Sequence, residues 1–239
     1  MRAALLRSMV FILPALVMAV AGWLGTDADT RIPVHWGIDG QPDRWGGRLE
    51  AFFLLPAIMI GISLAFAILP AIDPRGRNLA RSRVVLNTAW SGTLALLLVL
   101  EAAMLAFGLG WVDADGTRFM PGLSLTAVGI LFILLGNVLG KARPNWFVGI
   151  RTPWTLSSDL AWDKTHRLVG RLMVLAGLIL LAGVWFLPAR LQFGLALIVG
   201  LAPAVIGTAY SYWVWRNDPT RETAMPDEVE TEDPRASSD

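Results

Sequence analysis

Long apolar blocks alternate with short polar segments along the chain. Each block has roughly 17–25 residues, enough for a helix to cross about 30 Å of hydrocarbon. Because every backbone N–H and C=O in hydrocarbon needs an internal partner, the blocks must be helical. The pattern therefore predicts an all-α fold, a polytopic membrane bundle of about six transmembrane helices. The six predicted spans are residues 5–24, 51–72, 84–109, 122–139, 168–187 and 191–215.

Small residues within these spans are candidates for helix contacts. Lipid tails are as apolar as Leu, so the hydrophobic effect does not draw such helices together, and small side chains allow the close approach that does. The candidate positions are Gly22 with Gly25, Gly61 with Ala65, and Gly194 with Gly200 and Gly207.

The first span has two interpretations. Arg2 and Arg7 precede an apolar core, which is also the pattern of a signal peptide, and residues 19–21 (Ala-Val-Ala) fit a cleavage site. The residues alone leave both a cleaved leader and a retained anchor open.

The distribution of basic residues predicts the orientation in the membrane. An even number of spans places both termini on one side, and 15 of the 20 Lys and Arg residues lie on that side. Basic residues in short loops favour the cytoplasm. We therefore expect a multi-pass protein of the inner (plasma) membrane with both termini cytoplasmic.

Composition adds a few limits. The chain has no cysteine, which excludes disulfides, thiolate catalysis and Cys-type zinc sites. Its net charge of +1 and the lack of a DNA-binding motif give no reason to expect direct nucleic-acid binding. Residues 216–239 are acidic and nearly free of large apolar side chains, so we expect a disordered tail.

The segment 136–171 concentrates cations and tryptophans between two spans. Such residues suit a membrane–water boundary, where indole rings settle at headgroup level and basic heads reach water. Pro144 and Pro153 exclude a helix through its first half, and Ser157 or Ser158 can cap a helix that then runs into the fifth span. We predict a cytoplasmic amphipathic stretch at 140–167.

The opposite, outer side carries a polar loop at 25–50 with His35, Trp36, Asp39 and Asp43. A metal site needs three or four convergent ligands, and only one histidine is available there. The remaining interpretations are a loop laid on the membrane surface, with a local hydrogen bond at His35, or a binding surface for an external peptide.

Two further residues are candidates for chemistry. His166, near Asp163, can be a base or can tether its helix together with Trp162. Glu101 is an acid well inside a span, where a charge is costly, so it is either functional or a neutral acid bonded across helices. The sequence shows no activated nucleophile and no His-Glu-x-x-His spacing, and we predict a protein that is not an enzyme and has no metal or cofactor.

The central segment resembles the SdpI family of bacterial immunity proteins. The matching residues are Gly136-Asn137, Pro144-Asn145, the run from Gly149 to Ser157 (GIRTPWTLS), Trp162 and Lys164 to Arg167 (KTHR). Upstream, Ile32 to Trp36 (IPVHW), Gly40 and Asp43 are similar to the short N-terminal module of unknown function that often precedes the family region, in which the first span is retained.

The resemblance divides the chain into an N-terminal module at 1–50, two spans at 51–121, the SdpI-like region at 122–215 and the tail at 216–239. It implies immunity to a secreted antimicrobial peptide or toxin, with a DNA-binding repressor held at the inner face. The candidate toxin-sensing residues are His35, Trp36, Asp39 and Asp43, and the candidate partner-binding residues are Asn145, Arg151, Trp154, Trp162 and His166.

Two other functions remain open from the residues. One is a small proton-coupled transporter or exporter with Glu101 as the coupling acid, weakened by the absence of evident inverted repeats. The other is a membrane hydrolase that uses His35 or His166.

Overall fold

The computed structural model describes residues 2–72, 78, 81–112 and 119–220, and for residues 2–4, 185 and 189 it describes the backbone alone. Its elements in chain order are α1 (Arg2–Gly25), β1 (Ile32–Trp36), β2 (Pro42–Gly46), α2 (Arg48–Ile72), α3 (Arg83–Gly108), α4 (Phe119–Leu139), α5 (Pro153–Leu156), α6 (Asp159–Phe186) and α7 (Ala189–Arg216).

Six of the described helices, all except α5, are long and apolar enough to cross a membrane. They confirm the six predicted spans and the all-α bundle. Many large apolar side chains point away from the protein, among them Phe186, Ile198 and Val205. Exposing such an apolar surface to water costs free energy, whereas exposing it to the hydrocarbon of a bilayer does not. The chain is therefore a multi-pass membrane protein.

The helices form two groups of three. In the first group α1, α2 and α3 pack on one another; in the second, α4 packs on α6 and α6 on α7. The groups meet where α3 packs on α4. The core of the first group includes Phe52, which is fully buried against Gly22 of α1 and Gly108 of α3: a Cβ on either glycine would lie within 2.5 Å of the Phe52 ring.

The helices α4 and α6 approach each other closely through glycines that were not among the predicted packing positions. A Cβ on Gly136 would lie 2.5 Å from the carbonyl oxygen of Gly170, and one on Gly177 would lie 2.4 Å from that of Gly129. Each helix has its two glycines seven residues apart, which keeps them on one face.

Of the glycines predicted to mediate packing, some do and some do not. Gly22 and Gly25 meet Phe52 and Leu109, and Gly207 meets Val169. The prediction was wrong for Gly61, Gly194 and Gly200, because a Cβ at any of these three meets none of the described residues within 4 Å.

The outer loop contains a β-hairpin, which the sequence pattern did not predict. β1 and β2 pair antiparallel, with Ile32 opposite Gly46 and Trp36 opposite Pro42. The turn lies at Asp39-Gly40, a residue pair that favours turns: Gly40 has φ +82°, and the Asp39 carboxylate accepts from the Gln41 N–H at 3.0 Å. A two-stranded hairpin is marginal alone and needs packing against other elements.

The bundle supplies that packing. Ile32 is buried in a cluster with Phe52 and Phe107. The Arg48 guanidinium donates to the carbonyls of Trp23 (3.1 Å) and Thr26 (2.8 Å) and lies 4.3 Å above the Trp23 ring. The hairpin is therefore fixed to the C-terminal ends of α1 and α3 and to the N-terminal end of α2.

Candidate functional site

The segment between α4 and α6, which the sequence predicts to be cytoplasmic, is a compact, hydrogen-bonded loop, and we call it the inner knot (residues 140–158). The helices α5 and α6 are each capped by a side chain only three residues from the N–H group that it accepts from. The Thr152 hydroxyl accepts from the Thr155 N–H while the Thr155 hydroxyl accepts from the Thr152 N–H, a reciprocal capping box for α5. Ser158, as predicted, caps α6 by accepting from the Ala161 N–H at 2.9 Å. Both helices therefore begin where short polar side chains satisfy their first N–H groups.

Asn145 closes the turn at the centre of the inner knot and is completely buried. Its amide nitrogen donates to the carbonyls of Arg143 (2.8 Å) and Val148 (3.2 Å), and its amide oxygen accepts from the N–H groups of Phe147 (2.9 Å) and Val148 (2.7 Å). Two donors and two acceptor contacts saturate the side chain. An amide is therefore required here, and a carboxylate of the same shape cannot make these four bonds.

His166 joins the inner knot to α6 and is also completely buried. Its Nδ1 lies 2.8 Å from the carbonyl oxygen of Trp162, and its Nε2 accepts from the Ile150 N–H at 3.0 Å. Since Nε2 must keep a lone pair and Nδ1 must carry the hydrogen, the bonds select one neutral tautomer. Neither ring nitrogen is left for proton transfer, so this geometry is that of a structural tether.

Trp162 completes the tether from one turn earlier on α6. Its ring stacks on His166 with centroids 4.1 Å apart, and its indole N–H donates to the Ala142 carbonyl at 2.9 Å. Gly149 makes room for the imidazole: its φ is +112°, and a Cβ there would lie 2.1 Å from Nε2 of His166. Glycine is therefore the residue that this position accepts.

Of the five residues predicted to bind a partner, three are fully buried and two are at least partly exposed. Asn145, Trp162 and His166 have no exposed surface, so they hold the knot and present nothing to a partner. Arg151 is exposed and donates to the Trp146 carbonyl at 2.7 Å. Trp154 is partly exposed, donates its indole N–H to Ser211 and meets Tyr212 edge-on at 5.3 Å, which ties α5 to α7.

Asp218 adds a contact that sequence reasoning missed. It lies two residues beyond α7, in the predicted tail, yet it is buried and accepts from the Ser158 hydroxyl. Arg216 is helical, so the structure continues into the segment 216–220; residues 221–239 of the predicted tail lie outside the described residues. Asp218 is one of several acids in this segment, and nothing in the sequence distinguishes it as the residue that makes such a contact.

The four predicted outer-face residues lie together on the hairpin but point different ways. His35 is 62% exposed, and its Nδ1 contacts the Asp43 carboxylate, which is the local bond expected for it. Asp39 faces solvent at the turn. Trp36 turns inward against Phe107, with ring centroids 5.5 Å apart. In the described ranges no three His, Asp or Glu side chains group as metal ligands would.

A cavity of about 400 Å³, which we call the outer cavity, opens beneath the hairpin between the two helix groups. Mainly apolar side chains of α2, α3, α4 and α7 line it, together with the hairpin from Val34 to Ile38. Its volume is within the range of ligand pockets, roughly 300–1,000 Å³. Sequence patterns could not find it, because it forms only where residues from five elements meet.

Two polar side chains lining this cavity carry atoms without a partner. Gln192, 2% exposed, donates to the carbonyls of Val184 (3.2 Å) and Leu187 (3.1 Å), whereas its Oε1 has no hydrogen-bond partner among the described residues. The indole N–H of Trp36 is likewise buried, and it has no hydrogen-bond partner among the residues that the structure describes. Buried polar atoms are rarely left unsatisfied, which makes these two atoms exceptions within the described residues.

Glu101 lies on the buried face of α3, seven residues after Leu94 and three before Met104, in the C-terminal half of the helix. It is fully buried, and neither carboxylate oxygen has a hydrogen-bond partner within the described residues. The hydrogen bond across helices, one of the two alternatives for this residue, is therefore not found among the described residues.

Comparison with known proteins matches both halves of the chain. Residues 141–211 match the SdpI/YfhL protein family, and residues 9–60 match a domain of unknown function, DUF1648. Over 186 aligned residues the chain is 27% identical to the Immunity protein SdpI of Bacillus subtilis (strain 168). The alignment covers 77% of this chain and 84% of that protein. No solved structure matches the chain.

The matched family segment coincides with the inner knot, α6 and most of α7, and the upstream match contains most of α1, the hairpin and the first half of α2. The resemblance on which the sequence analysis rested is confirmed. The chain is a multi-pass membrane protein that carries an SdpI/YfhL family region behind a DUF1648 region.

Proposed function

We propose that this protein is an integral membrane immunity protein of the inner (plasma) membrane that confers resistance to a secreted antimicrobial peptide or toxin. The observation that carries the proposal is the similarity to Immunity protein SdpI, which extends over most of both chains and is not confined to one motif. The outer cavity and the hairpin above it, at the face where an external peptide arrives, support it.

The arrangement assigns different work to the two faces. The hairpin presents His35, Asp39 and Asp43 to the exterior, and Trp36 joins that surface to the outer cavity. The inner knot closes the opposite end of α4, α6 and α7. In this proposal the outer face receives the toxin, and the family residues of the knot keep the inner end of the second helix group in one conformation.

The proposal includes a signal of the toxin's presence that passes to transcription, through a smaller set of inner-face residues than the sequence predicted. If a DNA-binding repressor docks at the inner face, the surface it meets includes Arg151 and Trp154, with the exposed Trp146 beside them. Asn145, Trp162 and His166 act on such a partner only by holding that surface. The exposed cation next to two indole rings suits a partner with acidic and apolar groups.

Expression in a toxin-sensitive host tests the immunity proposal. Cells that produce the chain should survive a peptide toxin at concentrations that kill the empty-vector strain, and deletion from the native host should sensitise it. The matched control is the Gly149→Ala variant at equal membrane abundance, which loses the imidazole contact. Equal killing of cells with and without the wild-type chain, for every secreted peptide toxin of the native host and its neighbours, would remove the proposal.

A second candidate function, proton-coupled transport or export, is favoured by the buried and unpartnered carboxyl of Glu101. An intramembrane acid without a partner is the group a coupling mechanism needs. In proteoliposomes Glu101→Gln should then abolish a proton-dependent flux while the fold is retained. Full flux in that variant removes this mechanism.

A further inference from the structure

The end of the α4–α6 pair next to the inner knot carries another cavity, separate from the outer cavity. Its volume is about 430 Å³, and we call it the inner cleft. It shares no lining residue with the outer cavity, and two arginines border it. The residues that line it are Gly136, Asn137, Gly140, Arg167, Gly170, Arg171 and Val174.

Glycines create the space in the inner cleft. At its deep end the two backbones touch, because a Cβ on Gly170 would lie 2.6 Å from the Gly136 carbonyl oxygen. One turn nearer the inner knot, a Cβ on Gly140 would lie 3.3 Å from Cγ of Arg167. Gly136 and Gly140 are four residues apart, which puts them on one side of the end of α4. Because neither has a side chain, the Arg167 stem lies against this end and the space beside it stays open.

The two arginines have hydrogen-bond donors to spare. Arg167 and Arg171 are one turn apart on α6, so they share a face, and both are exposed. Arg167 has one acid nearby, Asp163, with 3.9 Å between Nη2 and Oδ2. Arg171 makes no hydrogen bond or ion pair with the residues that the structure describes. Since each guanidinium has five N–H donors, this side of the cleft offers two positive charges and many free donors against one carboxylate.

The opposite wall of the cleft adds an amide. Asn137, in the last turn of α4, is exposed and donates one N–H to the Ile133 carbonyl at 2.9 Å. An amide nitrogen has two N–H groups, so one is left over. The cleft is therefore lined on both sides by donors, which is the chemistry of an anion site.

The inner cleft lies at the level where the predicted spans meet water. The predicted fifth span begins at residue 168, so Arg167 precedes it and Arg171 lies about 6 Å further along the helix, at 1.5 Å per residue. Side chains lean towards the N-terminus of their helix, which for α6 is the end at the inner knot, so the Arg171 guanidinium reaches back towards the boundary. Lipid head groups occupy this level, and basic pockets between transmembrane helices on the cytoplasmic side are typical sites for anionic ones.

Apolar surface continues from the cleft along both helices. Leu175 and Leu178 follow Arg171 by one and two turns on the same face of α6, and Leu134 precedes Asn137 by one turn on α4. All three leucines are exposed, by 46–54%. An anion that carries acyl chains thus finds donors for its phosphate and apolar surface for its chains, whereas a free phosphate ion uses only the first.

We propose that the inner cleft binds the phosphate of an anionic phospholipid from the predicted cytoplasmic leaflet. The phosphate oxygens accept from the guanidinium groups of Arg167 and Arg171, whose planar forks match a phosphate, and from the remaining N–H of Asn137. A zwitterionic lipid has the same phosphate but brings a cation that two arginines repel. The inference goes beyond the proposed function and does not rest on it.

Lipid retention by the full chain tests the proposal. The purified chain in detergent is titrated with phosphatidylglycerol or with phosphatidylcholine of the same acyl chains, and bound lipid is counted by native mass spectrometry. Arg171→Gln should weaken phosphatidylglycerol binding about tenfold, because it removes charged hydrogen bonds to the phosphate. The matched control is Arg83→Gln, which removes the same charge from an exposed position at the start of α3, outside the cleft. Equal loss in the two variants, or equal affinity of the wild type for the two lipids, overturns the proposal.

Gly140→Leu separates a built cleft from a charged surface. The new side chain fills the cleft and leaves both arginines in the chain, so phosphatidylglycerol binding should weaken about tenfold. Gly61→Leu is the control, since Gly61 is exposed on α2 and its Cβ would meet none of the described residues within 4 Å. If both leucine variants bind phosphatidylglycerol as the wild type does, the arginines attract lipid without a cleft and the proposal is overturned.

Asp163→Asn should act in the opposite direction. It removes the one carboxylate beside Arg167, so phosphatidylglycerol should bind about threefold more tightly. This variant does not crowd the cleft, and its result stands even if Gly140→Leu fails to fold. Unchanged or weaker binding by a folded Asp163→Asn chain would overturn the placement of the phosphate beside Arg167.

Inorganic phosphate distinguishes the two sources of the anion. Added in large excess, it should leave the bound phosphatidylglycerol in place, because it lacks the acyl chains that contact Leu134 and Leu175. Loss of the lipid from the wild type on addition of phosphate, with chloride at equal ionic strength as the control, would overturn the lipid assignment in favour of a site for free phosphate.

Discussion

Single buried polar side chains decide the shape of the inner knot. Asn145 and His166 satisfy their hydrogen-bonding atoms with backbone groups only, at distances of 2.7–3.2 Å. In the sequence, a histidine near Asp163 is also compatible with a base. The structure assigns the tethering role, because both imidazole nitrogens are already bonded to main chain.

Gly149→Ala tests the space reserved for that imidazole. The new Cβ would lie 2.1 Å from Nε2 of His166 in a backbone of φ +112°, so the loop must open or the tether must break. We expect a loss of about 2–4 kcal/mol in the free energy of unfolding, measured by SDS titration in mixed micelles. Gly47→Ala, whose Cβ meets nothing within 4 Å, is the control and should change stability little. Indistinguishable curves for the two variants would refute the tether.

Asn145→Asp tests the saturated amide. The carboxylate keeps the shape but loses two donated hydrogen bonds and places charge against the carbonyls of Arg143 and Val148. We expect a loss of about 2–4 kcal/mol in the same unfolding assay. The control is Asn137→Asp, since Asn137 is exposed and donates only to Ile133 in its own helix. A loss no larger than the control's would show that Asn145 does not close the turn.

At the scale of helices, the two groups of three are packed by different means. Phe52 fills the space against two glycines in the first group, whereas α4 and α6 bring backbone against backbone at Gly136 with Gly170 and Gly129 with Gly177. Close backbone approach is how helices gain packing energy in lipid, where burial of apolar surface gives none.

Gly170→Ala tests the α4–α6 contact. Its Cβ would lie 2.6 Å from the Gly136 carbonyl oxygen, so the helices must separate. We expect the free energy of unfolding to fall by about 1–3 kcal/mol. Gly200→Ala on α7 has nothing within 4 Å of its Cβ and should be neutral or slightly stabilising, because alanine is the better helix former. Equal effects of the two substitutions would contradict the helix pairing.

Length and hydropathy were sufficient to predict the spans, because a bilayer imposes one minimum length on every helix. The Ser158 cap and the turn at Asp39-Gly40 were also predictable, since their chemistry is local. The hairpin was not, because its strands depend on Ile32 and Trp36 packing against α2 and α3. The choice among glycines was not either, because composition does not show which helix face has a neighbour.

For the whole molecule, the proposed function depends on two faces with different roles. The hairpin and outer cavity lie at one end of the bundle, where α1 and α3 finish and α2, α4 and α7 begin. The inner knot lies at the other end, between α4 and α6. The candidate outer-face residues and the exposed partner residues Arg151 and Trp154 therefore occupy opposite ends, and the basic bias predicts which end is cytoplasmic.

Cysteine accessibility is the most direct measurement of this arrangement, because the chain has no native cysteine to give a background. His35→Cys and Arg151→Cys place single thiols at exposed positions of the hairpin and the inner knot. In intact cells a membrane-impermeant maleimide should label position 35 and leave position 151 unlabelled until the membrane is opened. Labelling of both positions from outside, or of neither until lysis, would contradict the two-faced arrangement.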